Sequence, residues 1–230
     1  MIILFYSACE KTIPITGTTT TNFNSNAFVQ IFNGTVKATR NYAYVDATPV
    51  SGATFSAGGV FPATAFAFNV QSGSRSFLIK DTLVTSTQAP LNFTENMEAS
   101  KSYTIFMYDT ITSPKQIVIT NSIDVPADTT SRLRFANIIY NSTPVSNVDV
   151  YSFRRGTSTP VFTNIATNAV TSFIPYASGQ TDTLYVYATG TTSPLIVKTL
   201  IPSLTPQRSY TAAYNGSYRG TKTISTFATY

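Results

Sequence analysis

Ala27-Phe-Val-Gln-Ile-Phe-Asn33 and Ser131-Arg-Leu-Arg-Phe-Ala-Asn137 both end on Asn and both interleave apolar residues with others. In the second stretch Leu133 and Phe135 alternate with Arg132 and Arg134. A period of two marks a strand with one buried face. A second matched pair lies further along: Lys101-Ser-Tyr-Thr104 and Arg208-Ser-Tyr-Thr211. The two pairs stand at nearly the same separation, so the chain reads as two copies of one unit. Between them Tyr42-Ala-Tyr-Val-Asp46 is loosely comparable with Val148-Asp-Val-Tyr151, which sets Asp46 and Asp149 at comparable places.

Outward from these stretches the alternation continues. Val148 and Val150 alternate with Asp149 and Tyr151, and Leu184 and Val186 with Tyr185 and Tyr187. Residues 28–32, 42–45, 66–70, 76–79, 103–108 and 116–120 read as strands in the first copy. Ser72-Gly-Ser74, Ser113-Pro114, Gly58-Gly59 and Ser178-Gly179 punctuate them as turns. No stretch carries a helical stripe with caps. About seven short strands per copy match an immunoglobulin-like count. The expected fold is all-β, two tandem immunoglobulin-like antiparallel β-sandwich domains. The expected division is 26–124 and 125–230, joined near Ile123-Asp-Val-Pro-Ala-Asp-Thr-Thr130.

Composition narrows function. The 230 residues include no His, no Trp and one Cys. His-based triads, His metal sites and internal disulfides are thereby excluded. Charged residues are only 11%, while 14 Tyr and 16 Phe favour pleated, half-buried strands. The net charge is +5, yet only Arg154 and Arg155 are adjacent; Lys37, Arg75, Lys115, Lys198 and Lys222 are scattered. Nucleic-acid binders concentrate such residues, so no nucleic-acid partner is expected and the basic residues read as solvated surface.

The chain opens Met-Ile-Ile-Leu-Phe-Tyr-Ser-Ala-Cys-Glu-Lys, and a polar stretch without apolar periodicity, residues 15–26, follows. A short apolar run, small residues and a solitary Cys9 resemble the lipobox of a bacterial lipoprotein. That resemblance implies a truncated signal over 1–9, acylation of Cys9, and a polar tether over 10–25. Acyl chains would then enter a bilayer while the tether holds the rest in water. Tyr6 stands where the motif has an aliphatic residue, and nothing basic precedes Cys9. The address implied is the bacterial outer membrane or cell surface, with the membrane as partner through the lipid.

Leu133-Arg-Phe-Ala-Asn137, the loop at Ser142-Thr-Pro-Val145 and above all Val148-Asp-Val-Tyr151 resemble the family numbered 4397 among domains of unknown function. Thr205-Pro-Gln-Arg-Ser-Tyr-Thr211 is similar to that family's approach to a late strand, with Pro206 and Arg208 near its usual Gly and Lys. The resemblance covers roughly residues 27–225. It implies exported β-sandwich modules, often in lipoproteins of Bacteroidota-type bacteria, and no catalytic residues.

The carboxylates form no reactive pair in this reading. Glu95 and Glu98 fall in a polar connector, and Asp124 with Asp128 falls short of a calcium ligand set. Asp46 and Asp149 read as outward strand residues paired with a Lys or Arg. No metal, cofactor or catalytic residue is expected, and the chain is read as no enzyme. The tyrosines remain: Tyr140, Tyr151, Tyr176, Tyr185, Tyr187, Tyr214 and Tyr218 suit sugar stacking or an interface. Tyr151, Tyr185 and Tyr187 are the chosen ligand-binding candidates, for a glycan or a protein partner. The function expected is a non-catalytic surface or periplasm-facing lipoprotein, ligand-binding or accessory to a surface assembly. The alternative is a fimbrial or adhesin-type structural subunit.

Overall fold

The computed structural model describes residues 25–123 and 125–230. Cys9, the signal, nearly all of the tether and Asp124 lie outside the described residues. The described chain is all-β. Its first half holds β1 (Asn26–Asn33), β2 (Asn41–Val45), β3 (Thr48–Pro49), β4 (Val60–Phe61), β5 (Phe68–Gln71), β6 (Gly73–Asp81), β7 (Leu91–Met97), β8 (Ser102–Tyr108) and β9 (Lys115–Asn121). Its second half holds β10 (Ser131–Asn137), β11 (Val148–Arg154), β12 (Thr157–Ile165), β13 (Ala169–Val170), β14 (Ile174–Tyr176), β15 (Asp182–Ala188), β16 (Val197–Ile201), β17 (Ser209–Gly216) and β18 (Lys222–Ala228).

The nine strands of each half are ordered alike. One sheet runs β4-β1-β8-β9 with β5 also on β1; its counterpart runs β13-β10-β17-β18 with β14 also on β10. The other sheets run β3-β2-β6-β7 and β12-β11-β15-β16. Pairing is antiparallel except β1 with β8 and β10 with β17, which are parallel. Nine elements rather than seven arise because short edge pieces are invisible to a pattern reading. Glu95 belongs to β7, a full edge strand rather than a connector. Its polar residues, Asn92, Thr94 and Asn96, line the exposed face of the strand.

Each half closes on its own core. Val29, Ile31, Phe77, Ile79, Ile105 and Met107 fill the first, and Leu133, Phe135, Val148, Val150, Leu184 and Val186 the second. The matched motifs now have a cause. Tyr103 Oη accepts the amide of Glu98 at 3.0 Å, and Tyr210 Oη that of Thr205 at 3.1 Å, each locking the turn before its strand. Asn33 Nδ2 donates to Phe55 O at 3.3 Å and Asn137 Nδ2 to Ile165 O at 3.1 Å. These buried amides tie β1 and β10 to the crossing segments through the carbonyls of Phe55 and Ile165, the first of which also accepts the Asn41 amide at 3.1 Å. Gly58, in the expected turn, has φ +81° and donates its amide to Asn33 O at 2.7 Å.

A third core joins the halves: Phe32, Phe106, Ala136, Ile138, Ala213 and Phe227. Phe32 stacks on Phe227 at 5.1 Å. The sheets containing β1 and β10 are thus covered on both faces and form the middle of a four-layer stack. This corrects the reading of Arg134 as solvated. It is 2% exposed, on the face of β10 that meets the first half. Burial of each aromatic in this junction contributes roughly 2 kcal/mol.

The junction is pseudo-symmetric. Gln30 pairs with Thr104, and Arg134 with Thr211, so Gln30 and Arg134 are counterparts. Gln30 Nε2 donates to Ala228 O of the second half at 2.9 Å, and Arg134 Nη1 to Asn121 Oδ1 of the first at 2.8 Å. Bulk alternates across it: Phe32 faces a half that has Ala136 at the same position, and Phe106 one that has Ala213. A Cβ on Gly34 would lie 2.6 Å from Ile138 Cδ1, at the position equivalent to its own.

Candidate ligand-binding face

The outer face of the β12-β11-β15-β16 sheet gathers the three candidate tyrosines. Tyr151 on β11 faces Tyr185 on β15, and Asp149 faces Tyr187. Residues two apart on a strand share a face, so Tyr151 and Phe153 line up beside Tyr185 and Tyr187. The rings form one row. Phe153 meets Tyr185 edge-on at 5.5 Å, Tyr185 lies parallel to Tyr187 at 6.3 Å, and Tyr187 meets Tyr151 edge-on at 5.7 Å. Lys198 on β16 sets its ammonium 5.8 Å from the Tyr185 ring. Leu200, 66% exposed, extends the apolar surface beyond it.

Two buried carboxylates brace this row. Asp149 accepts the amides of Asn164 at 2.7 Å and Gly190 at 2.8 Å, and the Thr189 hydroxyl at 3.2 Å. It therefore ties the irregular β11–β12 pairing to the turn after β15. Burial alone would raise its carboxyl, but the two amides and the hydroxyl outweigh it and hold the group below the ordinary value. Among the described residues no cation pairs with it, which corrects the expected Lys or Arg partner. Nor is it the counterpart of Asp46. Asp149 is the second residue of β11, whereas Asp46 follows the end of β2 and pairs with Arg75 at 2.9 Å.

At the other end Asp182 Oδ2 accepts from Ser152 Oγ at 2.6 Å, Arg154 Nε at 2.9 Å and Tyr176 Oη. The Arg154 guanidinium lies over the Tyr176 ring at 4.4 Å. Burial and the adjacent carboxylate push the Tyr176 phenol up to about 12. The row is thus mounted on a rigid sheet with both ends hydrogen-bonded, the arrangement a preorganised contact surface needs.

Other candidates fall elsewhere. Tyr176 and Tyr214 are buried and unsuited to ligand contact. Tyr140 and Tyr218 meet through a backbone bond at 2.8 Å, away from the row. Asp128 accepts from Thr130 and lies 4.0 Å from Arg132. Among the described residues no three potential metal ligands cluster. Phe153 and Lys198 were missed. The alternation through Tyr151 already points Phe153 to the same face; nothing local points to Lys198, which arrives by strand pairing.

The first half carries a smaller version. Tyr42 and Tyr44 stand 6.0 Å apart with Lys80 5.2 Å from the Tyr44 ring, beside the exposed Leu83 and Val84. No family model matches the sequence, and no significantly similar curated protein is found.

Proposed function

We propose that the protein is a non-catalytic binding module of the bacterial outer membrane or cell surface. It is held by an acylated Cys9 and presents Tyr151, Tyr185 and Tyr187 to a glycan or protein partner. The observation that carries this reading is the outward-facing, braced row of four aromatic rings, half-buried at Tyr151, Tyr185 and Tyr187 and exposed at Phe153, with a cation beside it. Aromatic faces stack on the C–H surface of sugar rings and anchor protein contacts, while a rigid sheet limits the entropy lost on binding. A non-catalytic role is supported by five aspartates whose carboxylates are held by structural partners. Asp46 pairs with Arg75, Asp81 with Arg40 and Asp109 with Lys115, while Asp149 and Asp182 are consumed as above.

Screening the full chain against a glycan array and against surface proteins of its host tests the binding. Tyr185→Ala and Tyr187→Ala should each weaken the retained partner at least tenfold without moving the melting midpoint. A partner bound equally well by both variants refutes the face. Anchoring has a separate test: the mature protein should carry acyl mass on Cys9, and Cys9→Ala should release it from membranes.

A further inference from the structure

Arg134 is almost fully buried and has no carboxylate partner among the described residues. Its guanidinium lies between the rings of Phe173 at 4.6 Å and Phe106 at 5.5 Å. Nε donates to Thr211 Oγ1 at 2.8 Å, Nη1 to Asn121 Oδ1 at 2.8 Å and Nη2 to Thr104 Oγ1 at 2.9 Å, all neutral acceptors. A guanidinium has five N–H groups, so two remain beyond these bonds. Burying a cation without an anion costs several kcal/mol, and neutral oxygens offset this only in part. Burial pulls the group down to about 9, so it stays charged at neutral pH.

Arg134 lines a partly open cleft of about 320 Å³ at the junction of the halves. Arg132, two residues earlier on the same face of β10, lines it too. Among the described residues its one acid is the exposed Asp128 at 4.0 Å, too far for a hydrogen bond, while Nη1 donates to Thr130 Oγ1 at 2.6 Å. Thr120, Ser122, Thr171, Ser172 and Ser209 complete the polar lining. Two guanidiniums and several hydroxyls are the donor set that recognises phosphoryl or sulfuryl oxygens, which the planar Arg fork matches two at a time.

We propose that this junction cleft binds a tetrahedral oxyanion, a phosphate or sulfate group, through Arg132 and Arg134. The inference stands apart from the aromatic face, which lies on the far side of the second sandwich core. The anion supplies a counter-charge that no described residue gives Arg134 and links β10 of one half to the end of β9 of the other. Its source is either free inorganic anion or an ester on a sugar, and these two differ in what the hydroxyl-lined mouth must accommodate.

Titration of the full chain with sodium phosphate, sodium sulfate and a glucose phosphate or sulfate ester, at ionic strength held constant with chloride, tests this. Calorimetry and the melting midpoint are the readouts. The expected result is saturable binding with a millimolar or tighter dissociation constant and a rise in midpoint that chloride does not produce. Arg132→Gln should weaken binding at least tenfold, and Arg134→Gln should abolish it. Should Arg134→Gln fail to fold, Arg132→Gln decides alone: tenfold weaker binding supports the site and unchanged binding overturns it. An ester bound at least tenfold tighter than the inorganic ions identifies a sugar-borne group; equal affinity identifies the free anion. A non-saturating shift, or one equally large in Arg132→Gln, overturns the proposal. Tyr185→Ala should leave anion binding intact, which separates this result from the fate of the aromatic face.

Discussion

The junction between the halves contains the same cleft twice, with opposite chemistry. Phe28 pairs with Ser102 as Arg132 pairs with Ser209, so Phe28 and Arg132 are counterparts. Phe28 faces Asn69 as Arg132 faces Pro175, which makes Phe66 and Ala67 the counterparts of Ser172 and Phe173. One cleft is lined by Arg132, Arg134, Ser122 and Ser172; the other, of about 490 Å³, by Phe28, Phe66, Thr229 and Tyr230. Backbone pairing is shared, and only side chains differ. The fold supplies the recess while a few substitutions choose between an ionic and an apolar lining.

The same divergence governs a corner of each outer sheet. Arg75 on β6 pairs with the exposed Asp46 after β2, whereas Asp182 on β15 pairs with Arg154 on β11. The sign of each strand is reversed, and only the second carboxylate is buried, with Ser152 and Tyr176 added to it.

The largest expected break is Phe32→Ala. It empties the side of the junction facing Phe227 and should cost about 4 kcal/mol, read from denaturant unfolding. Next is Asp182→Ala, which strands a half-covered Arg154 and should cost roughly 3 kcal/mol. Asp46→Ala at the corresponding corner should barely move the same midpoint, because its ion pair is solvated. Equal losses in the two variants would dissolve the distinction between the corners. Gly34→Ala should cost about 2 kcal/mol, since the added carbon meets both Ile138 and the carbonyl of Met107. Trimming Ile138 to Ala should recover only part of that cost, because the carbonyl stays in place.

A last effect, on the slope of stability against pH, is confined to alkaline solution and vanishes at neutral pH. The Tyr176 phenol has a folded value of about 12 against an ordinary 10.0. The unfolded chain therefore releases this proton first, and the stability it contributes is complete below pH 10 and lost as pH rises toward 12. Tyr176→Phe should flatten that part of the pH–stability curve measured by denaturant titration. An unchanged slope would mean that the corner of the second half is no more tightly bound than that of the first.

Much of this was legible beforehand because strands of a sandwich sort residues by face. Val148, Val150, Leu184 and Val186 announce their inward face, and the same alternation sets Tyr151, Tyr185 and Tyr187 outward together. Less was legible where polar residues are absorbed by partners distant in the chain. Asp149 looks like any exposed strand acid until Asn164 and Gly190 are folded over it. The polar β7 looks like a linker until β6 lies beside it.

Sequence by itself determined that the protein is built from strands, that its pattern occurs twice, and which residues of each outer strand point inward. Those follow from local covalent geometry, since successive side chains must alternate and water tolerates only one of the two faces. Tertiary structure alone decided that β1 and β10 lose water on both faces. It thereby converted Gln30 and Arg134 from surface residues into the polar centre of a junction. That outcome depends on one sheet docking against another, and no residue carries a local mark of which neighbour will cover it.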